Sequence, residues 1–475
     1  MIDEWVETEM KDLNTKNKRL DKRTKKILQS IINKPDAPFP QQFQSAAELK
    51  ACYNLFDSDL INSEVILNPH IKKTVERIQS CDVAILAGDS SSLNYTTRDS
   101  NPDSGYISSN NAQGFFLHVS LATTLERQPL GVVQAKFWAR EKIKPEKKVH
   151  RDYLPIEEKE SYKWLESFEI ANQIAADCPN TQIIAVYDRE ADLIELLEKA
   201  IIAQQTNHAH LVVRCNHNRT IQNKNNKNIK LFEFAEEALI IDHCEFELRD
   251  RLTHKVLRVV TQEVRASSVC IQPAYRAGVE TRKVVLNIVF LKEINCPEGA
   301  EPVNWYLLTT LPIGNKKDVQ KIINAYLARW DIEVLFRTFK TGCNVEKRSL
   351  RNADRLYPMF ALFLIVAWRI NSLSRISRIN PDLPCTVVFS EVEARVAYAA
   401  LNKTKKVPKR LPTIREMIIM IARLGGYLNR KSDPEPGATV IWRGLRELQI
   451  YVNAFEIMQS LNTAENEFFV KKSYG

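Results

Sequence analysis

Two short, unbroken apolar runs, each ending in an aspartate, set the strongest limit on how this chain folds. Val83-Ala84-Ile85-Leu86-Ala87-Gly88 leads into Asp89, and Ile183-Ile184-Ala185-Val186-Tyr187 leads into Asp188. Runs this short, with no polar alternation, read as strands covered on both faces, as the central strands of an α/β sheet are. Gly114 to Ala122 and Gly131 to Trp138 read as further strands, and Glu157 to Ala176 as a helix. Asp192 to Gln204 then reads as a helix and His210 to Arg214 as a strand. The order β-β-β-α-β-α-β predicts an α/β domain with a mixed sheet.

The flanks have other textures. The first seventy residues read as helical and basic, with nine Lys or Arg between Lys11 and Lys34 and with Leu20, Ile27 and Ile31 on one side of the helical wheel. Pro35 to Pro40 interrupts this pattern, and a second amphipathic helix follows from Ala46 to Phe56. Asn216 to Lys230, rich in Asn and Lys, reads as an exposed loop. Cys244 to Cys270 and Lys283 to Glu293 alternate like antiparallel strands and end in Trp305 to Thr310, so a β-rich insertion is expected at about 217–312. Beyond Lys317 the chain reads as helical, with a basic linker from Lys403 to Arg410.

The longest apolar run, Met359 to Trp368 between Arg355 and Arg369, is too short to cross a bilayer and reads as a core helix; no membrane partner is expected. The N-terminus lacks the basic start and apolar core of a signal peptide. Nine cysteines, an odd number with no CxxC spacing, suit reduced thiols in a cytoplasmic protein. His208, His210, Cys215 and His217 fit no zinc-finger spacing and read as structural or surface residues. The formal net charge of +9 suits a polyanionic partner without identifying one.

Candidate chemistry gathers on carboxylates. One aspartate at a strand end usually caps the following turn. Two at the carboxyl ends of buried strands repel each other unless something cationic lies between them. A third carboxylate, Glu333, belongs to a helix on which Tyr326, Arg329, Glu333, Arg337 and Lys340 share an arc of about 80°. Leu327, Ala328, Trp330, Ile332, Val334, Leu335, Phe336 and Phe339 occupy the rest, interrupted by Asp331 and Thr338, so the helix is expected in a core with its polar stripe facing a cleft. An Arg329–Glu333–Arg337 ion-pair ladder on a solvated face is the competing reading. Asp89, Asp188 and Glu333 together would suit Mg²⁺, a hard cation that favours oxygen ligands and phosphate. Glu190 and Asp192 are expected to stabilise a helix N-terminus.

Several stretches resemble bacterial cut-and-paste transposases of the insertion-sequence-4 family, the group that includes the transposon-5 transposase. Tyr326-x2-Arg329-x3-Glu333-x6-Lys340 resembles the family's signature helix. Asp89 to Tyr95 is similar to its first-aspartate motif, with Ser90 and Ser91 where threonines are common, and Tyr187 to Asp192 to its second. Lys18-Arg19-Leu20, Trp138-Ala139-Arg140, Glu158 to Tyr162 and Ala422 to Gly426 are similar as well.

The resemblance implies a ribonuclease-H-like catalytic core at 71–370 holding the β-insertion. An N-terminal helical DNA-binding domain at 1–70 and a C-terminal helical dimerisation domain at 371–475 would flank it. It implies that Asp89, Asp188 and Glu333 are catalytic and bind two Mg²⁺, with Mn²⁺ able to substitute. Tyr326, Arg329 and Lys340 would hold DNA phosphates, with Arg214 a further candidate contact, and Trp305 would receive a flipped base. Lys18, Arg19, Lys22, Arg23, Lys25 and Lys26 are the candidate end-binding residues. The implied partners are double-stranded DNA with terminal inverted repeats, target DNA and a second copy of the chain. The implied setting is a bacterial cytoplasm, on the nucleoid when bound. The implied reaction runs by nicking, hairpin formation and resolution, and strand transfer; a catalytically silent DNA-binding inhibitor and a structure-selective nuclease are the alternatives.

Overall fold

A computed structural model describes residues 4–96, 101–108, 112–141, 154–203, 208–222, 228–249, 256–272 and 283–472. The N-terminal stretch forms α1 (Glu4–Glu9), α2 (Lys18–Asn33), α3 (Phe39–Gln42), α4 (Ala46–Phe56) and α5 (Ser63–Gln79). Side chains of Asn17, Ser45 and Asn62 accept from the first free backbone N–H groups of α2, α4 and α5, which fixes where those helices begin. The central part contains β1 (Val83–Asn94), β2 (Gly105–Tyr106), β3 (Gln113–Thr123), β4 (Pro129–Trp138), α6 (Tyr162–Asp177), β5 (Gln182–Tyr187), α7 (Ile194–Ala203) and β6 (His210–Arg214). Next come β7 (Thr220–Gln222), β8 (Asn228–Lys230), α8 (Leu231–Glu237), β9 (Ile240–Arg249), β10 (Val256–Ile271), β11 (Val284–Glu293) and β12 (Trp305–Thr309). The helices α9 (Lys316–Ala328), α10 (Trp330–Arg337), α11 (Ala353–Ile379), α12 (Glu391–Asn402), α13 (Ile414–Leu424) and α14 (Ala438–Lys472) follow.

Strands β4, β3, β1, β5 and β6 lie in that order; β3 is antiparallel to β1 and to β4, while β5 and β6 run parallel to β1. This mixed order is that of a ribonuclease-H-like core. The apolar runs alternate across the pleat: Ala84 and Leu86 face the helices α6 and α7, while Ile85 joins Ile184 and Val186 against α9. The insertion does not form a sheet of its own. Strand β12 pairs with β6, then β11 with β12 and β10 with β11, so the core sheet continues outward. The stretch 216–230, expected as a loop, contains the β7–β8 hairpin, because Ile221 is buried and pairs with both Ile229 and Ile271.

The expected domain divisions at 70 and 370 fall inside continuous helices, α5 and α11. Helix α11 is 27 residues long, buried nearly all round from Leu356 to Ser374, and serves the flanking helices and the sheet alike. It meets the length and composition of a membrane span, yet its apolar stretch is buried inside the protein. Phe360 touches the rings of Tyr95, Phe115, Phe137 and Phe339. Trp368 stacks on Trp5 of α1 and donates to the Pro129 carbonyl at 3.2 Å.

A buried ion network seals the same junction. Glu9 of α1 receives Arg77 of α5 through two bonds of 2.9 Å and meets His70 Nδ1 at 2.5 Å, while His70 Nε2 accepts from the Val132 N–H. Burial pushes the Glu9 carboxyl up, but His70 and Arg77 outweigh it and hold it down to about 2. A depressed carboxyl stabilises the folded state above its ordinary value and loses that contribution as pH falls towards 2. Glu9→Ala should therefore lower stability at pH 7 by about 3 kcal/mol. In urea titrations, its deficit against wild type should shrink as pH is lowered through 4 towards 2.

Candidate active site

Asp89 lies within β1, not at its end, because β1 continues alongside β3 as far as Asn94. Strand β5 does stop, at Tyr187, and the Asp188 side chain accepts from the Glu190 N–H at 3.0 Å in the turn that follows. The parallel register pairs Ala87 with Val186. Two further residues on each strand bring Asp89 level with Asp188 on neighbouring strands, which lie about 4.8 Å apart in a sheet.

The helix expected to carry Glu333 is built in pieces. Helix α9 ends at Ala328, α10 starts at Trp330 with Arg329 in helical dihedrals between them, and a π-helical turn, Thr338–Gly342, follows. The expected apolar surround is incomplete: Leu327 is 42% exposed and Trp330 49% exposed. Asp331, expected as an interruption, is buried among Arg127 and Arg375, with bonds of 2.6 and 2.7 Å. Those two arginines, from the β3–β4 turn and from α11, permit a charge on the core side and fix the rotation of α10. Sequence reading passed over this clamp, although an acid on the apolar side of a helix is itself a signal that partners are needed.

Arg329 stands among the carboxylates. Its Nη1 donates to Asp89 Oδ2 at 3.1 Å and its Nη2 to Glu333 Oε1 at 2.9 Å. The Tyr326 ring lies 5.8 Å from the guanidinium, and Trp305 meets Tyr326 edge-on at 5.4 Å. Arg214 donates to the Asn304 carbonyl at 3.2 Å and lies beside the Tyr326 hydroxyl. Asp89, Asp188, Glu333, Arg329, Tyr326, Arg214 and Trp305, taken from β1, β5, β6, β12, α9 and α10, thus form one neighbourhood. Lys340 lies further along β1: its neighbouring charge is Glu346, which accepts from the Asn94 N–H at 2.8 Å. On α2, Lys18, Arg19, Lys22 and Lys26 are exposed, Arg23 is half-buried and Lys25 pairs with Glu7; none of the six reaches the carboxylates.

The carboxylates are electrostatically crowded. Burial and then the Asp188 charge push Asp89 up to about 7, with Glu333 adding to the rise and Arg329 and the Ser90 N–H opposing it. Asp188 is raised chiefly by burial, then by Glu190. Burial disfavours the Arg329 charge, but Tyr326, Asp89 and Glu333 together raise its pKa. Hard oxygen donors that repel one another fit a divalent cation in their chemistry. As the side chains stand, no three His, Cys, Asp or Glu among the described residues are placed to hold one ion. Arg329 occupies two of the carboxylates instead.

One supporting residue was not singled out from sequence. His118, on β3 opposite Ser90, is fully buried; its Nδ1 meets Ser90 Oγ at 2.9 Å and its Nε2 meets Ser167 Oγ at 2.8 Å, bracing the residue after Asp89 against α6. A lone histidine in the apolar stretch Phe115 to Ala122 is the signal that could have found it. Asp192, expected to stabilise a helix N-terminus, uses its side chain elsewhere. It accepts from the N–H groups of Asn216 and His217 and pairs with Arg219 at 2.6 Å, anchoring the chain just beyond Arg214.

A family model described as Transposase DNA-binding matches residues 2–61, and one described as Transposase Tn5 dimerisation domain matches residues 365–464. Among solved structures, the chain is similar to one described as a piggyBac transposase synaptic complex with hairpin DNA, at 12% identity and a TM-score of 0.32. That alignment covers 81% of this chain and 60% of the other, so the chain spans less than two thirds of that transposase. A likeness so distant carries no weight for the chemistry.

A carboxyl raised in the folded state makes stability fall as pH rises between its unfolded and folded pKa values. Asp89→Asn removes the repulsion and should raise the unfolding midpoint at pH 8, by on the order of a few kcal/mol in stability. Near pH 4 the variant and wild type should converge in thermal melts.

Proposed function

We propose that this chain, which matches a transposase DNA-binding model at one end and a Tn5 transposase dimerisation model at the other, is a transposase that excises and integrates a DNA element by phosphoryl transfer at Asp89, Asp188 and Glu333. The observation that carries the proposal is the meeting of three carboxylates from β1, β5 and α10 with Arg329, Tyr326, Arg214 and Trp305. Phosphate recognition and an acidic centre then share one neighbourhood.

Asp89, Asp188 and Glu333 are the residues that would hold two Mg²⁺ or Mn²⁺ ions, which supply Lewis acidity and activate the attacking hydroxyl in such reactions. The chain's own side chains do the rest. Arg329 and Arg214 bind phosphate oxygens, Arg329 in the bidentate manner open to a guanidinium. The half-buried Trp305, held edge-on by Tyr326, offers an aromatic face to a base displaced from its stack during hairpin formation. Lys340, half-buried, would bind a phosphate further from the cut. The exposed positive face of α2 contacts the terminal repeat. Two ends must be held together for joining, and α14 exposes Ile450, Tyr451, Phe455, Ile457, Met458 and Leu461, an apolar face suited to a second copy.

The test uses the full chain, Mg²⁺ and linear DNA bearing the inverted repeat that flanks the coding region. Wild type should cut both strands at the repeat through a hairpin, with end binding that weakens steeply as salt rises. Asp188→Ala should bind the end as well as wild type, while its cleavage falls to less than about one-thousandth. Wild type that binds the repeat but never cuts with Mg²⁺ or Mn²⁺ would mark a DNA-binding inhibitor. Cutting without regard to the repeat would mark a nuclease.

A further inference from the structure

A phosphate that engages Arg329 through both Nη nitrogens competes with whatever those nitrogens already hold. Arg329 holds two carboxylates, Asp89 at 3.1 Å and Glu333 at 2.9 Å. The oxygens it engages belong to the groups a divalent cation would take, and a lone pair facing an N–H is closed to a cation. The same side chain keeps donors in reserve, among them its Nε, which is buried and has no hydrogen-bond partner among the described residues. An unfilled buried donor is costly unless a ligand fills it. Beside Arg329 lie the Tyr326 ring and Arg214, close enough that the two guanidinium charges oppose each other. A phosphate at this point fills the Nε donor and relieves that repulsion. It also offers Arg329 an anion to replace the carboxylates.

We propose that Arg329 is a substrate-operated latch. In the free protein it closes Asp89 and Glu333 to divalent cations, and a DNA phosphate beside Tyr326 and Arg214 draws it away and opens them. The latch rests on the reading of Asp89, Asp188 and Glu333 as cation ligands. It goes beyond phosphate binding by Arg329, because it makes DNA and metal affinities depend on each other. Exchange of partners at one side chain couples the two ligands, and coupling between sites commonly amounts to about 5- to 150-fold in affinity. The coupling is reciprocal, so the cation tightens DNA binding by the factor by which DNA tightens cation binding. A nuclease centre built this way stays unloaded until DNA is seated, which protects other nucleic acid from a charged active site.

Mn²⁺ binding to the full-length protein, followed by the electron paramagnetic resonance signal of the free ion, reads the latch without relying on cleavage. The DNA probe is a blunt duplex ending at the terminal repeat. Wild type should bind Mn²⁺ weakly alone and at least about 10-fold more tightly with the duplex. Arg329→Gln should bind Mn²⁺ about 10-fold more tightly than wild type without DNA, and the duplex should add little. Arg329→Lys keeps the charge but replaces the two-nitrogen fork with a single ammonium on a flexible stem, so it should fall between the two; it serves if the Gln variant does not fold. Asp188→Ala should remove the binding in every case. If Mn²⁺ binds through Asp188 but both Arg329 variants match wild type without DNA and gain as much from the duplex, the latch is wrong and the cation reading stands. If no Asp188-dependent Mn²⁺ binding occurs in any variant, with or without DNA, the cation reading fails and the latch with it.

Discussion

Parallel pairing of β1 with β5 forces Asp89 and Asp188 to one level on neighbouring strands, and the repulsion between them shapes what surrounds them. Two acids in a half-buried position require positive charge, and Arg329 meets that requirement while engaging Glu333 as well. The remaining neighbours serve geometry. Ser90 gives Asp89 an N–H at 2.7 Å, and His118 steadies Ser90. Burial pushes the His118 pKa down to about 3, with Lys163 and Lys136 adding to the effect, so the imidazole stays neutral and functions as a strut. Asp331, with Arg127 and Arg375, prevents α10 from turning Glu333 away. The carboxylates are thus kept close together, held by a sheet on one side and a clamped helix on the other.

The flanking helices are tied to the same frame. Trp5 and Glu9, from the segment matched as DNA-binding, reach α11 and α5, and the far half of α11 lies in the segment matched as the dimerisation domain. One rod therefore touches all three regions. Arg369 of that rod lies 4.0 Å from the Trp5 ring, and Arg77 lies 4.6 Å from the Trp368 ring. A force on the N-terminal helices reaches the core through packed aromatic side chains and paired charges, with no flexible linker to absorb it.

Legibility in the sequence followed the range of the interactions involved. Val83 to Gly88 and Ile183 to Tyr187 were readable as buried strands because a strand covered on both faces leaves a local signature, and the helix Ala46–Phe56 was readable from its apolar spacing. Their relative register was not readable, since parallel strands are joined by nearly a hundred residues and no local pattern aligns them. The stripe from Tyr326 to Glu333 was visible on a wheel, but the π turn that shifts Lys340, and the exposure of Leu327 and Trp330, depend on what packs against the helix. Asp331 shows the limit well. Its two partners are Arg127 and Arg375, and nothing near it in the chain announces either. The neighbourhood of Arg214, Trp305 and Tyr326 likewise exists only because β12 returns to pair with β6.

That return has a consequence for how the molecule is made. Without β12, β6 would be the last strand of the ribonuclease-H-like core and would present unpaired N–H and C=O groups to solvent, an open template for other chains. The residues that close this edge, Trp305 to Thr309, emerge from synthesis about ninety positions after β6. Through that interval the nascent core has a sticky border, and the ladder formed by β10 and β11 must be laid down before it can be covered. The insertion that brings Trp305 beside Tyr326 is therefore also the hem of the sheet, and shortening it would fray the core before it altered the site.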